Sequence, residues 1–145
     1  MHTILVVCTG NICRSPVAAA MLEAGLGGPP FEVSSAGVGA VVGHGATPEA
    51  AHTARARGLN VSGHRARQLD TELALAHDLL LVMTERHRAW VSRAIPQARG
   101  RVFLLGHWRG DAEVPDPIGQ PMPVYEHVAE LMQGFTDDWV AKLAG

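Results

Sequence analysis

The sequence predicts an α/β fold, a four-stranded parallel sheet flanked by helices in one domain, with an anion-binding loop after the first strand. Three observations lead there. Short apolar runs alternate with longer stretches of good helix formers, the order that builds an open parallel sheet. Two of the runs, Ile4-Leu5-Val6-Val7 and Leu79-Leu80-Leu81-Val82, are apolar at every position, as strands covered on both faces are. The first run gives way to a polar, turn-forming stretch, Thr9 to Ser15, and then to a helical segment.

Thr3 to Val7 is the first expected strand. Pro16 stands where a first helical residue would, and Val17 to Leu26 carries the helix until Gly27-Gly28-Pro29-Pro30 stops it. Phe31 to Ser34 reads as the second strand, with a Gly-rich loop running to Gly45. Thr47-Pro48-Glu49 combines an N-cap with a first-turn proline and starts a helix reaching about Gly58. A short helix over Thr71 to Ala76 precedes the third strand, Asp78 to Met83. Glu85 to Ala94 is helical, and Arg101 to Leu105 is the fourth strand. Pro115-Asp116-Pro117 forms a rigid loop before an amphipathic helix from about Pro123 to Leu143. In such a sheet, ligands bind beyond the carboxyl ends of the strands, and Cys8 lies at one of them.

The chain of 145 residues is long enough for one core, so residues 1–145 are read as one domain. With 47% apolar and 18% charged residues it lies far from the composition of disorder. A formal charge of -2 gives no overall attraction to nucleic acid or an anionic membrane, although every basic residue except Lys142 is an arginine. An anion must therefore be recognised locally. The two cysteines, Cys8 and Cys13, are too close together to staple the fold. The N-terminus has no basic segment ahead of its short apolar run, and no apolar stretch is long enough to insert into a membrane. These features point to a reducing, cytoplasmic setting.

The stretch Cys8-Thr9-Gly10-Asn11-Ile12-Cys13-Arg14-Ser15 sets a cysteine and an arginine in one strand-to-helix turn. Successive backbone N–H groups in such a turn form an anion nest, and the following helix adds its positive end. The same field favours a thiolate at Cys8, making it a nucleophile. Arg14 offers a planar fork that donates two parallel hydrogen bonds to phosphoryl oxygens, which lysine cannot do. Ser15 can donate to the Cys8 sulfur. Gly10 and Asn11 are the residue types that accept left-handed backbone angles in a tight loop. No Gly-Lys-Ser/Thr follows, so the stretch is not a nucleotide-binding loop. The histidines show no metal-ligand spacing with the cysteines, and neither a metal nor another cofactor is expected.

Val7 to Pro16 resembles the active-site signature of the low-molecular-weight protein tyrosine phosphatases. Further segments agree with that family in order and spacing: Ser35-Ala36-Gly37, Gly63-His64-Arg65-Ala66-Arg67-Gln68-Leu69, Asp78 to Met83, and Pro115-Asp116-Pro117. The resemblance implies a phosphate-binding loop over Thr9, Gly10, Asn11, Ile12, Cys13, Arg14 and Ser15, with Cys8 as the nucleophile that becomes phosphocysteine. It implies that Asp116 is the general acid and later the general base. It also implies a supporting network of Asn11, Ser15, Ser35 and His64 that holds the loop open.

The chain departs from the family pattern at the pocket rim, where many members carry aromatic residues and this one offers Val41 and Ile118. Gly39 to Gly45, Glu85-Arg86-His87 and Leu105-Gly106-His107-Trp108 are most similar to a bacterial branch encoded with capsule and exopolysaccharide genes. That likeness implies a phosphotyrosine protein as partner, namely the tail of a tyrosine autokinase.

Three other functions are compatible with related loops. An arsenate reductase on this fold relays oxidation through further cysteines, and Arg67 to Arg99 contains none. Phosphoarginine phosphatases of the family carry threonine where this chain has Ile12. A non-catalytic phosphate-binding or thiol-sensing domain would have no use for the full set of Cys8, Arg14 and Asp116.

Overall fold

The computed structural model describes residues 2–145. Four parallel strands, β1 (Thr3–Cys8), β2 (Glu32–Gly37), β3 (Leu79–Val82) and β4 (Val102–Leu104), form one sheet in the order β2-β1-β3-β4. The chain leaves β1 toward β2 on one side and returns to β3 on the other. The carboxyl end of β1 is therefore the topological switch point, where a crevice opens.

Five α-helices cover the sheet: α1 (Arg14–Leu26), α2 (Pro48–Ala56), α3 (Thr71–Leu75), α4 (Glu85–Ala94) and α5 (Met122–Ala144). Alternation along β1 divides the core. Ile4, Val6 and Cys8 face the side of α1, α2 and α5, together with Met21, Leu22, Tyr125, Phe135 and Trp139. Leu5 and Val7 face the side of α3 and α4, with Leu80, Val82, Val91 and Ile95. Ile4 to Val7 are all fully buried, which is why no polar residue interrupts the run.

Most element boundaries differ from the sequence reading by a few residues at most, and three of the differences have a clear physical reason. β2 continues through Ser35-Ala36-Gly37 because it stays in register with β1, pairing Val6 with Ser35, Val7 with Ala36 and Cys8 with Gly37. Helix α1 begins at Arg14, ahead of Pro16. A proline within the first turn costs nothing, because the N–H it lacks has no intrahelical acceptor. Short 3₁₀ turns at Pro96–Arg101 and His107–Arg109 flank β4 and shorten it.

Helices α2, α3 and α4 are capped by Thr47, Asp70 and Thr84, each accepting a backbone N–H of its own first turn. The Trp139 indole donates to the Leu105 carbonyl at 2.9 Å, tying α5 to the end of β4. Trp108 packs edge-on against Trp139 and under the Lys142 ammonium, so it belongs to this aromatic cluster. Among the described residues no helix is long and apolar enough to cross a membrane.

Candidate active site

Beyond β1 the chain folds into a closed loop around the Cys8 sulfur. Asn11 is its pivot, with a φ of 59° and no exposure to solvent. Asparagine is among the few side chains that accept this left-handed geometry. The Asn11 amide makes three hydrogen bonds: Nδ2 donates to Ser15 Oγ at 2.7 Å and to Ser35 Oγ at 3.0 Å, and Oδ1 accepts the Arg67 N–H at 3.0 Å. The Asn11 carbonyl meets His64 Nε2 at 2.5 Å. Asn11, Ser15, Ser35 and His64 thus come together under the loop, although they are far apart in the sequence.

Direction follows from this arrangement. Ser15 Oγ already accepts a hydrogen from Asn11, which leaves its own proton to donate to Cys8 Sγ at 2.9 Å. A hydroxyl that donates at this distance can stabilise negative charge that develops on the sulfur.

Gly10 does not have the positive φ expected of it. A Cβ there would only come into ordinary van der Waals contact with Ile12 at 3.4 Å and Val41 at 3.5 Å. Gly37 has a stricter reason to be glycine: a Cβ would overlap the Thr9 carbonyl oxygen and lie 3.1 Å from the Asn11 nitrogen. The end of β2 therefore supports the loop from below.

Among the described residues, no backbone acceptor in a loop or cap receives the N–H groups of Gly10 to Cys13. Arg14 and Ser15, at the start of α1, lack intrahelical acceptors by construction. This run of free donors is an anion nest at a helix N-terminus. The Cys13 side chain turns away from it, into the core between Thr47 Oγ1 and Tyr125 Oη, each 3.6 Å from the sulfur. Burial pushes the Cys13 thiol up, away from the thiolate form.

Arg14 is only 4% exposed. Its Nη1 donates to the Val114 carbonyl at 2.9 Å, and Nη2 lies 3.4 Å from Thr9 Oγ1. The Asp116 carboxylate reaches in from the loop before α5, with Oδ2 3.7 Å from Arg14 Nη2. The Ile118 N–H donates to Asp116 Oδ1 at 3.1 Å, so the carboxyl is anchored by its own turn between two prolines. Asp111 and Asp138 are engaged elsewhere, with His107 and Arg109 respectively.

Cys8, Arg14 and Asp116 line one cavity of about 230 Å³, with Thr9, Gly10, Ile12, Cys13, Gly39, Val41 and Ile118. Sequence reasoning missed three parts of this site. The Val114 carbonyl and the Arg67 backbone N–H act through main-chain atoms, which leave no mark in a sequence. The third is His87, whose Nε2 lies 2.8 Å from Thr9 Oγ1. His87 sat within a segment that marked the bacterial branch, and that was the available signal. Among the described residues, no cluster of three or more His, Cys, Asp or Glu is arranged to hold a metal ion.

A thiol at the centre of an anion nest, at the switch point of a doubly wound sheet, defines the class of cysteine-dependent phosphatases. The chain belongs to the low molecular weight phosphotyrosine protein phosphatase family, whose model matches residues 3–145. It is 42% identical to the low molecular weight protein-tyrosine-phosphatase Wzb of Salmonella typhimurium, over 98% of this chain and 94% of that protein. The tyrosine phosphatase Wzb from Escherichia coli, solved with sulphate, superposes with a TM-score of 0.93 at 42% identity, covering 97% of each chain. The arginine phosphatase YwlE from Geobacillus stearothermophilus has the same fold, with a TM-score of 0.93 at 36% identity over 99% of this chain and 94% of that one.

Val41 and Ile118 stand at the mouth of the cavity, 38% and 48% exposed. Aliphatic walls can sandwich a phenol ring but forfeit the aromatic pairing of about 0.5–1.5 kcal/mol. Ile118→Tyr or Val41→Trp is therefore expected to lower KM for small aryl phosphates by up to roughly tenfold, with kcat little changed. Steady-state kinetics on phenyl phosphate test this, and an unchanged or higher KM in both variants would place the ring elsewhere.

Proposed function

We propose that this protein tyrosine phosphatase works through a phosphocysteine intermediate, with Cys8, Arg14 and Asp116 as its catalytic residues. The observation that carries the reading is the meeting of these three side chains in one cavity, although Asp116 is contributed by a distant loop. In the first step Cys8 Sγ attacks phosphorus and the bond from phosphorus to the tyrosine oxygen breaks. Asp116 gives its proton to the departing phenolate. Ile118 occupies Oδ1, which leaves Oδ2 to carry that proton. Arg14 and the nest hold the equatorial oxygens as charge spreads onto them.

In the second step the Asp116 carboxylate takes a proton from water, the resulting oxygen attacks phosphorus, and the S–P bond breaks. The electron pair returns to Cys8, where the Ser15 hydroxyl stabilises it.

Ile12 lines the cavity and has no polar group to meet a guanidinium, which favours phosphotyrosine over phosphoarginine. The likeness to the capsule and exopolysaccharide branch supports a cognate tyrosine autokinase tail as substrate. The mouth suits this partner, because Val41, Ile118 and the adjacent Val42, 66% exposed, present apolar surface to a tyrosine-rich segment. Both cysteines are free thiols, and the cytoplasm is the compartment that keeps a nucleophile of this kind reduced.

Asp116→Asn tests the mechanism, since it removes the proton donor and preserves shape. With a phosphotyrosine peptide, whose phenolate has a pKa near 10, the first step is expected to slow by about a hundredfold or more. With p-nitrophenyl phosphate, whose leaving group needs no proton, it should slow far less, giving a burst of nitrophenol followed by slow turnover. Equal first-step losses for both substrates would show that Asp116 is not the acid.

A further inference from the structure

His87 is buried to within 4% of its surface, in the first turn of α4, where its backbone N–H donates to the Thr84 cap. A side chain needed only for packing would be apolar here. Instead there is an imidazole whose Nδ1 meets no partner among the described residues, an arrangement that costs stability. Its one polar tie is the 2.8 Å contact between Nε2 and Thr9 Oγ1. Thr9 directly follows the nucleophile, and its hydroxyl is also the oxygen to which Arg14 Nη2 points at 3.4 Å. A line of contacts therefore runs from α4 through His87 and Thr9 to Arg14.

We propose that His87 is a positioning residue that acts through Thr9 to keep the Arg14 guanidinium aimed into the loop. The Arg14 fork has two anchors on its protein side: Val114 O holds Nη1, and Thr9 Oγ1 holds Nη2. Without His87, the Thr9 hydroxyl is free to rotate, and the second anchor is no longer fixed in direction. The guanidinium would then lose alignment mainly where alignment counts, in the transition state. This inference rests on the reading of Arg14 as the phosphoryl clamp.

The charged groups around the imidazole are Arg14, Asp116, Glu113 and Arg86. Burial above all, and then the Arg14 charge, push His87 down to about 4, against the opposing pull of Asp116 and Glu113. It is therefore neutral at the pH of an assay and orients Thr9 without adding a second positive charge beside Arg14.

The test is a kinetic cycle on p-nitrophenyl phosphate and a phosphotyrosine peptide, with folding checked by circular dichroism. His87→Phe should lower kcat about tenfold, the scale of one hydrogen bond, with KM within about twofold of wild type. His87→Gln, which can restore a hydrogen bond to Thr9, should recover most of the loss. Thr9→Val should lose as much as His87→Phe, and the double variant should be no worse than Thr9→Val alone.

Additive losses in the double variant, or a change in KM alone, would overturn the proposal. Should His87→Phe not fold, Thr9→Val leaves His87 in place and decides from the loop side: kcat within twofold of wild type overturns the link. If Arg14→Lys keeps full activity, the clamp reading itself fails. If Arg14→Lys collapses while Thr9→Val does not, only the role of His87 falls.

Discussion

Cys8→Ser is expected to abolish turnover, lowering kcat by at least about 10⁴-fold, as loss of a covalent nucleophile does in enzymes whose catalytic groups act as a unit. The reason lies in what surrounds the sulfur. The Ser15 hydroxyl, itself oriented by Asn11, and the ring of backbone donors favour an anion at this point. A thiol is a far stronger nucleophile than an alcohol, so serine cannot take its place. Phosphate binding should survive, because the nest is made of main-chain N–H groups and Arg14, none of which the substitution touches. Two measurements check this pair of outcomes: release of nitrophenol from p-nitrophenyl phosphate, and calorimetric titration with inorganic phosphate. Residual activity within tenfold of wild type would remove Cys8 from the chemistry.

Arg14→Lys should be nearly as damaging, with kcat reduced by about 10³-fold, within the range reported for losing a preorganised donor or an arginine clamp. The substitution keeps the charge, so the expected loss isolates geometry. Arg14 Nη1 is committed to the Val114 carbonyl and Nη2 lies against Thr9, which leaves the remaining edge of the plane to face the loop. An ammonium on a flexible stem cannot satisfy Val114 and present two parallel donors at once. Single-turnover kinetics should place the loss in formation of phosphocysteine. A variant as active as wild type would mean that charge alone does the work.

Much of this was legible in the sequence because local features enforce it. Ile4 to Val7 could only be a strand buried on both faces, and the cysteine, asparagine and arginine of the loop are each the residue type their positions demand. The extension of β2 through Gly37 was not legible. It depends on pairing with β1 and on the approach of Thr9, and both are contacts between segments distant in sequence. The left-handed angle expected at Gly10 falls on Asn11 alone, since a sequence does not say which residue of a tight loop takes the turn. The start of α1 ahead of Pro16 shows that a first-turn proline marks a helix without numbering its first residue. His87 escaped because nothing about a histidine in a helix announces which hydroxyl it will meet.

The loop around Cys8 is continuous with β1 and α1 and is cross-braced from below by β2. The Asp116 carboxylate, proposed to serve the leaving group, sits on a separate turn, 44% exposed and tied to its own backbone through the Ile118 N–H. Recognition of the ester and release of the alcohol are thus housed on two segments that meet at Arg14, where the Val114 carbonyl and the Asp116 carboxylate both approach the guanidinium. A lineage that kept the Val114 carbonyl in place could redraw the Pro115–Pro117 turn, changing which alcohols depart easily, while the loop around Cys8 stayed as it is. Erasing that turn's acid would leave a trap, a protein that captures phosphorylated partners and lets them go slowly.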